Sequence, residues 1–407
     1  NSNLGTYYLP AYRDYLREKY NNDINVLNEA YGGSEYKDFD SIGWPRSMNA
    51  SKSWNDYTTF NNAILAEYHA YLAAAVRKID PTIPLHTKQM MTMLGGKPSW
   101  NRLETASDYE LWLNSLDING NDGGAAGFNS EDAGNRGIFV LESWYDYLTS
   151  VKDAPCVNSE DHILSATDVM NYGEFVPDQV AAQVWQGAVH GRGGTNLWLW
   201  EVKEFGENNS LLTNRPMVVS KTTKAGFDLN RAAYEVTALQ KTKRRVAIMQ
   251  SNYTNQASDN TYNTYAYTNK CVLLNGLRPF WLTDRNYKNI HNYDLVILPD
   301  TICVSDETFA EIKKYAENGG KLLILGKNAL SMDENSVKRD EAEVQKVKDL
   351  AMDVVNVAYL GYLVQNLDEV RDAIENAIST VGLDTIIVRD AETNEKVDTV
   401  EWLAGSY

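Results

Sequence analysis

Residues 155–164 read PCVNSEDHIL, and residues 185–201 read WQGAVHGRGGTNLWLWE. Glu160 ends the apolar run of the first segment, and Trp200 and Glu201 end that of the second. A helical pattern separates the two runs, so they read as neighbouring parallel strands of an α/β barrel. A carboxylate at one strand tip and an indole at the next suit glycosidic bond cleavage. The carboxylate stabilises an oxocarbenium-like centre, and the indole packs against the sugar ring.

The composition narrows the class of protein. The 407 residues carry a net charge of −17, which argues against nucleic acid or an anionic membrane surface as a partner. No apolar run is long enough to span a bilayer. Cys156, Cys271 and Cys303 are too widely spaced for a disulfide framework or a zinc pattern, so we expect all three to be buried and reduced. We expect neither a metal nor a cofactor. The 25 Tyr and 10 Trp residues are a weak indication of carbohydrate binding.

Residues 1–224 alternate helix and strand signals in the manner of α/β barrels. A long helix is predicted over 57–79, with an apolar stripe along one face. The pattern contains four β–α units, whereas a complete (β/α)8 barrel has eight, so we predict half of a TIM barrel. The predicted strands of these units are residues 83–87, 116–120, 156–159 and 196–200.

Two further regions follow the predicted barrel half. Residues 225–335 alternate helices with strands rich in Val, Ile and Leu, which predicts a small parallel sheet covered on both faces. Residues 336–407 are predicted to form a helical extension and the start of a β module, ending in a hairpin. The strands predicted for the parallel sheet are residues 245–250, 279–282, 295–298 and 321–325.

The order of these pieces resembles that of the family 42 β-galactosidases, retaining glycoside hydrolases built on (β/α)8 barrels. Residues 11–32, AYRDYLREKYNNDINVLNEAYG, resemble the family's helices after barrel strand four. Residues 56–88 resemble its next helix and a strand-five motif that ends in Thr-Asn, and Tyr109–Gly120 resembles its strand six. RRVAIMQS (244–251) through GGKLLILG (319–326) resembles the family's flavodoxin-like trimerisation domain.

The resemblance implies the C-terminal half of the barrel and a nucleophile at the tip of strand seven. That position falls on Glu160. Glu142 in FVLESWYDYL is the rival, but its segment continues as a helix towards Lys152, so we prefer Glu160. We expect His190 to be structural, and the family's cysteine-cluster zinc site has no counterpart in this sequence. The candidate substrate-binding residues, each near an inferred strand tip, are Trp200, Asn119, Asp122, His86 and Gln89.

The resemblance also implies an acid/base glutamate in an Asn-Glu pair after strand four. That place falls on Asn1-Ser2-Asn3 or just upstream of them. The chain is then expected to be a fragment of a longer hydrolase, one piece of a split enzyme, or a half barrel that another chain completes. A homo-oligomer, for example a trimer, is the other expected assembly.

The predicted activity is retaining hydrolysis of β-galactosides or related plant or algal oligosaccharides. Two other classes stay open. One is a non-catalytic carbohydrate-binding or pseudo-hydrolase subunit that keeps the aromatic floor and lacks the acid. The other is a nucleotide-binding flavodoxin-like protein, although no phosphate-cradling Gly-rich loop follows the strand predicted at 245–250.

Overall fold

The computed structural model describes residues 4–45, 51–88, 108–122, 139–161, 176–197, 215–258, 261–361 and 363–397. Side-chain caps begin two of its first three helices. Asp23 accepts a hydrogen bond from the backbone N–H of Asn25 at 2.8 Å, and Ser51 accepts one from Trp54 at 3.3 Å. These first elements are α1 (Leu4–Lys19), α2 (Ile24–Ala30), a 3₁₀ turn (Phe39–Ser41) and α3 (Lys52–Arg77).

The apolar stripe predicted on α3 is buried only at its beginning. Phe60 is buried with residues of α1 and α2, and Ile64 packs against the same cluster. Further along, Tyr68, Leu72 and Val76 are 55%, 41% and 40% exposed. The periodicity therefore places these side chains on one face, but no described residue covers the second half of that face. The stripe as predicted comprises Phe60, Ile64, Tyr68, Leu72, Val76 and Ile79.

Three parallel strands form the sheet of the predicted barrel half, in the order β1-β2-β3. In this register Gly120 of the first strand pairs with Val157 of the second, and Asn158 pairs with Thr195 of the third. The alternation of strands and helices agrees with the predicted α/β fold. The elements are α4 (Tyr109–Leu113), β1 (Asn119–Asn121), α5 (Phe139–Val151), β2 (Cys156–Asp161), α6 (Val176–Val189), β3 (Arg192–Leu197), α7 (Pro216–Arg231) and α8 (Ala233–Gln240).

Three strand predictions need correction. Strand β1 begins at Asn119, whereas the sequence predicted residues 116–120. No strand is assigned over residues 83–87, although this segment lies beside β1. Leu85 O accepts from the N–H groups of Asp117 and Ile118 at 2.8 and 3.1 Å. The Asp117 side chain accepts from Leu85 N at 2.8 Å, in place of a backbone ladder bond. The last strand begins at Arg192, not Asn196, because GRGG is already paired: Arg192 lies opposite Cys156.

A second sheet contains five parallel strands in the order β5-β4-β6-β7-β8. Doubly wound sheets of the flavodoxin type have this order. The strands are β4 (Val246–Met249), β5 (Phe280–Leu282), β6 (Leu295–Pro299), β7 (Leu322–Leu325) and β8 (Asp353–Val355), with a short antiparallel pair β9 (Tyr359–Leu360) and β10 (Leu363–Val364). The helices are α9 (Asn252–Ala257), α10 (Thr261–Leu273), α11 (Asp306–Glu317), α12 (Glu341–Leu350) and α13 (Leu367–Val381), with a 3₁₀ segment at Tyr287–Asn292.

The second sheet continues beyond residue 335, where the sequence predicted its domain to end. Strand β8 pairs with β7, and α13 lies against β6, β7 and β8, so much of 336–397 belongs to this sheet. Helix α7 also crosses the predicted boundary at residues 224/225. Of the predicted terminal hairpin, one bridge between Arg389 and Lys396 is present. The domain limits themselves remain a prediction.

The two sheets share a hydrophobic core. Trp144 and Tyr145 of α5 lie in one cluster with Val246, Ile248 and Trp281 of the second sheet. Ser150 of α5 also accepts a hydrogen bond from the backbone N–H of Trp281 at 3.0 Å. None of the described helices is both long enough and apolar enough to cross a membrane.

Candidate active site

Three chain segments end side by side at one edge of the first sheet. Strands β1 and β2 are parallel, and the 83–88 segment lies beside β1, so the carboxyl ends of all three meet there. Lys88, Asp122 and Glu160 are the side chains at these ends. In (β/α)8 barrels the carboxyl ends of the strands carry the catalytic residues.

Lys88 bridges the two carboxylates. Its ammonium group contacts the Glu160 carboxylate and lies 3.2 Å from Oδ2 of Asp122. The hydrogen bond to Glu160 raises the pKa of Lys88, burial opposes this, and Asp122 raises it further. The side chains of Glu160 and Asp122 are 15% and 10% exposed, so both are accessible but partly shielded.

The residue after Glu160 belongs to a buried network of hydrogen bonds. Asp161 is buried, and its Oδ2 accepts from Arg192 at 2.6 Å and from Thr195 at 2.7 Å. Arg192 also donates to the carbonyls of Gln183 (3.2 Å) and Val184 (3.1 Å), which ties β3 to α6. The register of β2 shifts between Asn158 and Asp161, so the buried Asp161 holds β2 to Arg192 and Thr195 of β3, while the Glu160 carboxylate contacts Lys88.

Asn119 lies at the start of β1 and is fully buried. Its amide nitrogen donates to three backbone carbonyls at the end of α5, those of Leu148, Lys152 and Ala154, at 3.0–3.3 Å. These contacts hold α5 against the sheet, and they place Asn119 at the end of β1 away from Asp122. The structure does not bring Asn119 together with Glu160.

His86 is exposed and lies next to Gly120 of β1. A Cβ atom at Gly120 would lie 2.2 Å from Thr87 O and 2.8 Å from His86 Nδ1. The close approach of the 83–88 segment to β1 therefore requires glycine, and it determines where Lys88 reaches the cluster.

Several predicted residues lie outside the described part of the chain. These are Trp200, Gln89 and Asn1-Ser2-Asn3. The rival carboxylate Glu142 falls within helix α5, as the sequence analysis expected, and nothing further is described of its side chain. Lys88 was not among the residues predicted from the sequence. Its signal was available, because Lys88 stands where the family's strand-five motif has Asn.

His190 belongs to a buried polar network between the two sheets. Its Nδ1 lies 2.8 Å from Asp146 Oδ2, and its carbonyl accepts from Arg278 at 2.6 Å. Arg278 also contacts Asp146 directly. Burial opposes ionisation of Asp146, but the charges of Arg278 and His190 outweigh it and lower the pKa of Asp146 to about 2. These contacts agree with the structural role expected for His190.

A second cluster of polar groups lies at the carboxyl edge of the five-stranded sheet. Asp284 accepts from the backbone N–H of Asn252 at 2.7 Å and from Ser251 Oγ at 2.9 Å, so its carboxylate caps α9. Burial raises the pKa of Asp284 to about 7. A nucleotide phosphate would bind at this helix start in a flavodoxin-like sheet. The Asp284 side chain already accepts from the N–H group of Asn252 that a phosphate would need, which argues against the nucleotide-binding alternative.

No group of three or more His, Cys, Asp or Glu side chains within the described ranges is arranged to hold a metal ion.

Comparison with known proteins finds a glycoside hydrolase family and several β-galactosidases. The family model described as β-galactosidase of glycoside hydrolase family 42 matches residues 5–239. β-Galactosidase BbgII of Bifidobacterium bifidum is 23% identical over 360 residues, 80% of this chain and 48% of BbgII. β-Galactosidase GalA of Bacillus licheniformis is 24% identical over 353 residues, 77% of this chain and 49% of GalA. The chain thus spans about half the length of the curated relatives it matches.

Solved structures show the same fold. The exo-carrageenase GH42 from Bacteroides ovatus superposes with a TM-score of 0.71 at 22% identity, covering 91% of this chain and 51% of that one. Gan42B, a GH42 β-galactosidase from G. stearothermophilus, gives a TM-score of 0.67 at 19% identity, covering 82% of this chain and 51% of that one. At these identities the likeness concerns architecture, and the chemistry rests on the residues at the strand tips.

Proposed function

The chain belongs to the family 42 β-galactosidases, and from that premise we propose that it supplies the nucleophile half of a retaining β-glycosidase site. Glu160 is the proposed nucleophile. The observation that carries this proposal is its position: it lies at the carboxyl end of β2, partly shielded, with Lys88 between it and Asp122. Strand-end carboxylates at this face of a (β/α)8 barrel are where catalysis is located.

In the proposed mechanism a Glu160 oxygen attacks the anomeric carbon of a β-galactoside. The bond to the leaving-group oxygen breaks as a second carboxylic acid protonates that oxygen, with the two carboxyl groups about 5–5.5 Å apart. Water, deprotonated by the same second group, then displaces Glu160 from the covalent intermediate. The two displacements retain the β configuration. Lys88 favours the ionised form of Glu160 that the first step needs.

The other candidate residues are proposed to contact the sugar, with the exception of Asn119. Asp122 lies next to Lys88 at the tip of β1, where its carboxylate can accept hydrogen bonds from sugar hydroxyls. Trp200 is proposed as the apolar platform for the sugar ring. His86 and Gln89 flank Lys88 in sequence and are proposed hydroxyl contacts. The contacts of Asn119 favour a structural role for that residue.

The second carboxylate is proposed to come from another part of the complete barrel, at or upstream of residue 1 or from a second chain. The exposed apolar half of α3 supports this assembly, because it lies where further β–α units would pack. On the other flank, Met217 and Phe227 of α7 are 60% and 61% exposed. Both flanks of the half barrel thus offer apolar surface for completion.

The expected substrates are β-galactosides or related plant or algal oligosaccharides. β-Galactosidases and an exo-carrageenase among the relatives support this class. The alternative, a carbohydrate-binding subunit without hydrolysis, makes the same sugar contacts and differs in lacking the acid/base group.

The nucleophile assignment is tested by Glu160→Gln in the complete protein, assayed on an aryl β-galactoside. We expect kcat to fall on the order of a thousandfold or more, because covalent catalysis is lost. Glu142→Gln is the matched control, since Glu142 was the rival carboxylate, and it should retain most activity. Azide added to Glu160→Ala should restore turnover and yield the α-galactosyl azide. Normal activity in Glu160→Gln would refute the assignment.

A further inference from the structure

A cavity of about 510 Å³ opens in the second domain, and none of its lining residues belongs to the barrel half. Its walls follow strands β6 and β7, at Ile302 and Lys327, and include one face of α12. The cavity therefore lies at the carboxyl edge of the sheet, beside the switch point between β4 and β6 at which open α/β sheets bind ligands. The volume is within the range of small-molecule sites.

Backbone hydrogen bonds fix the walls of the cavity. Leu330 N donates to Thr301 O at 2.7 Å, and Met332 N donates to Ile302 O at 3.1 Å. Arg339 N donates to Ser331 O at 2.9 Å, so the two sides of the 331–339 loop are paired. The shape of the cavity is therefore determined by the backbone.

Positive charge is concentrated around this cavity. Lys327, Lys338 and Lys348 line it, and none of the three pairs with a carboxylate within the described part of the chain. Lys348 Nζ donates to Lys327 O at 2.5 Å, which brings the two lysines together. Glu341 is the acidic residue in the lining. A chain with a net charge of −17 thus places a local positive excess here.

An arginine whose charge is paired with Asp306 is also part of the cavity wall. The Arg339 side chain is 10% exposed, stacks over the Phe309 ring at 4.7 Å and pairs with Asp306. One of its terminal nitrogens donates to Val304 O at 2.7 Å. Its Nε is buried without a hydrogen-bond partner among the described residues. Arg339 also lines the cavity, where an acceptor is lacking.

We propose that this cavity binds a small ligand that carries a sulfate or phosphate ester. The ester oxyanion lies between Lys327, Lys338 and Lys348, and the organic part, such as a sugar ring, packs against the apolar floor. Several cations together match a tetrahedral oxyanion, and each contact is a charge-assisted hydrogen bond. The floor consists of Ile302, Met332 and Val344. This site is separate from Glu160 and does not depend on hydrolysis.

The test is calorimetric titration of the full chain with galactose 6-sulfate, galactose 6-phosphate and galactose. We expect at least one ester to bind in the millimolar range or tighter, galactose to bind more weakly, and the ester affinity to fall as sodium chloride rises. The two ester arms identify which oxyanion the cavity takes. If neither ester binds better than galactose, the proposal is overturned.

Matched variants locate the binding. Lys327→Gln and Lys338→Gln each remove an exposed lysine and should weaken ester binding about tenfold. Lys321→Gln is the control, because Lys321 precedes β7 at its opposite end and does not line the cavity. Circular dichroism checks that all three variants fold. Equal losses in Lys321→Gln and Lys327→Gln, or no loss in either cavity variant, would show that the ester binds elsewhere.

Discussion

Lys88 is the residue whose placement most changes how Glu160 is understood. Its ammonium group contacts the Glu160 carboxylate and lies 3.2 Å from Asp122 Oδ2, and a nearby opposite charge favours the ionised form of a carboxylate. Lys88 is nearly half exposed, so the stabilisation is screened and modest. Its effect should therefore be visible in the pH dependence of catalysis rather than in the stability of the fold.

Lys88→Met in the complete protein should shift the acidic limb of the kcat/KM–pH profile to higher pH. Without the cation, Glu160 and Asp122 repel each other and the ionised nucleophile forms at higher pH. Lys88→Arg should return the limb towards its original position. Lys78→Met, at the end of α3, is the control for losing a charge away from the strand tips. A profile of Lys88→Met that superposes on the parent would exclude this role.

At the scale of elements, Gly120 shows how the strand tips are held together. Gly120→Ala would put a Cβ atom 2.2 Å from a backbone oxygen, which a rotamer change cannot relieve. We expect a loss of about 1–3 kcal/mol in the free energy of unfolding, the usual effect of overpacking. Gly43→Ala is the control, since open space surrounds that position. Equal melting temperatures for the two variants, measured by calorimetry, would contradict the close approach.

The helices and the second sheet were predictable because their signals are local. The runs of Val, Ile and Leu in β4, β6 and β7 are read directly from the sequence. The start of α3 was predicted five residues too late, because the Ser51 cap before Lys52 was not recognised. Residues 83–87 were predicted as a strand, but the Asp117 side chain takes the N–H of Leu85 that a ladder would use. Lys88 departs from the family's Asn at that position, but its contacts with Asp122 and Glu160 could not be predicted, because the three residues come from separate segments.

For the whole molecule, the buried Asp146–Arg278 pair links the barrel half to the second domain. Both side chains are at most 3% exposed. Asp146→Asn would leave the guanidinium buried beside a neutral group, so we expect a loss of about 3–5 kcal/mol in the free energy of unfolding. Asp294→Asn breaks the more exposed Arg245–Asp294 pair and should cost less than about 1 kcal/mol. Urea denaturation measures the free energy of unfolding of both variants. Similar losses would show that the buried pair contributes no more to stability than the exposed one.

The same pair gives the fold a defined response to acid. Folding lowers the pKa of Asp146 from 3.8 to about 2, so the ionised pair stabilises the protein above pH 4. This contribution is lost as pH falls from about 4 to about 2. The parent should therefore lose stability in that window more steeply than Asp146→Asn, as thermal melts across pH would measure. Parallel stability curves for the two proteins would contradict the assigned cause.

The assembly as a whole is proposed to be completed by further β–α units. The exposed face of α3 and the exposed residues of α7 are the surfaces that such units would cover. The nucleophile and the acid/base group then come from different halves of one barrel.

The most direct test of the central claim is covalent trapping on Glu160. In a 2-deoxy-2-fluoro-β-galactoside, fluorine destabilises the oxocarbenium-like transition states of both steps. A good leaving group restores the rate of the first step only, so the glycosyl–enzyme intermediate forms and then hydrolyses slowly. After incubation with the complete protein and proteolysis, mass spectrometry should find the fluorogalactosyl group on the peptide that carries Glu160. A label on the peptide that carries Glu142, or no label on a protein that hydrolyses the parent galactoside, would contradict the account.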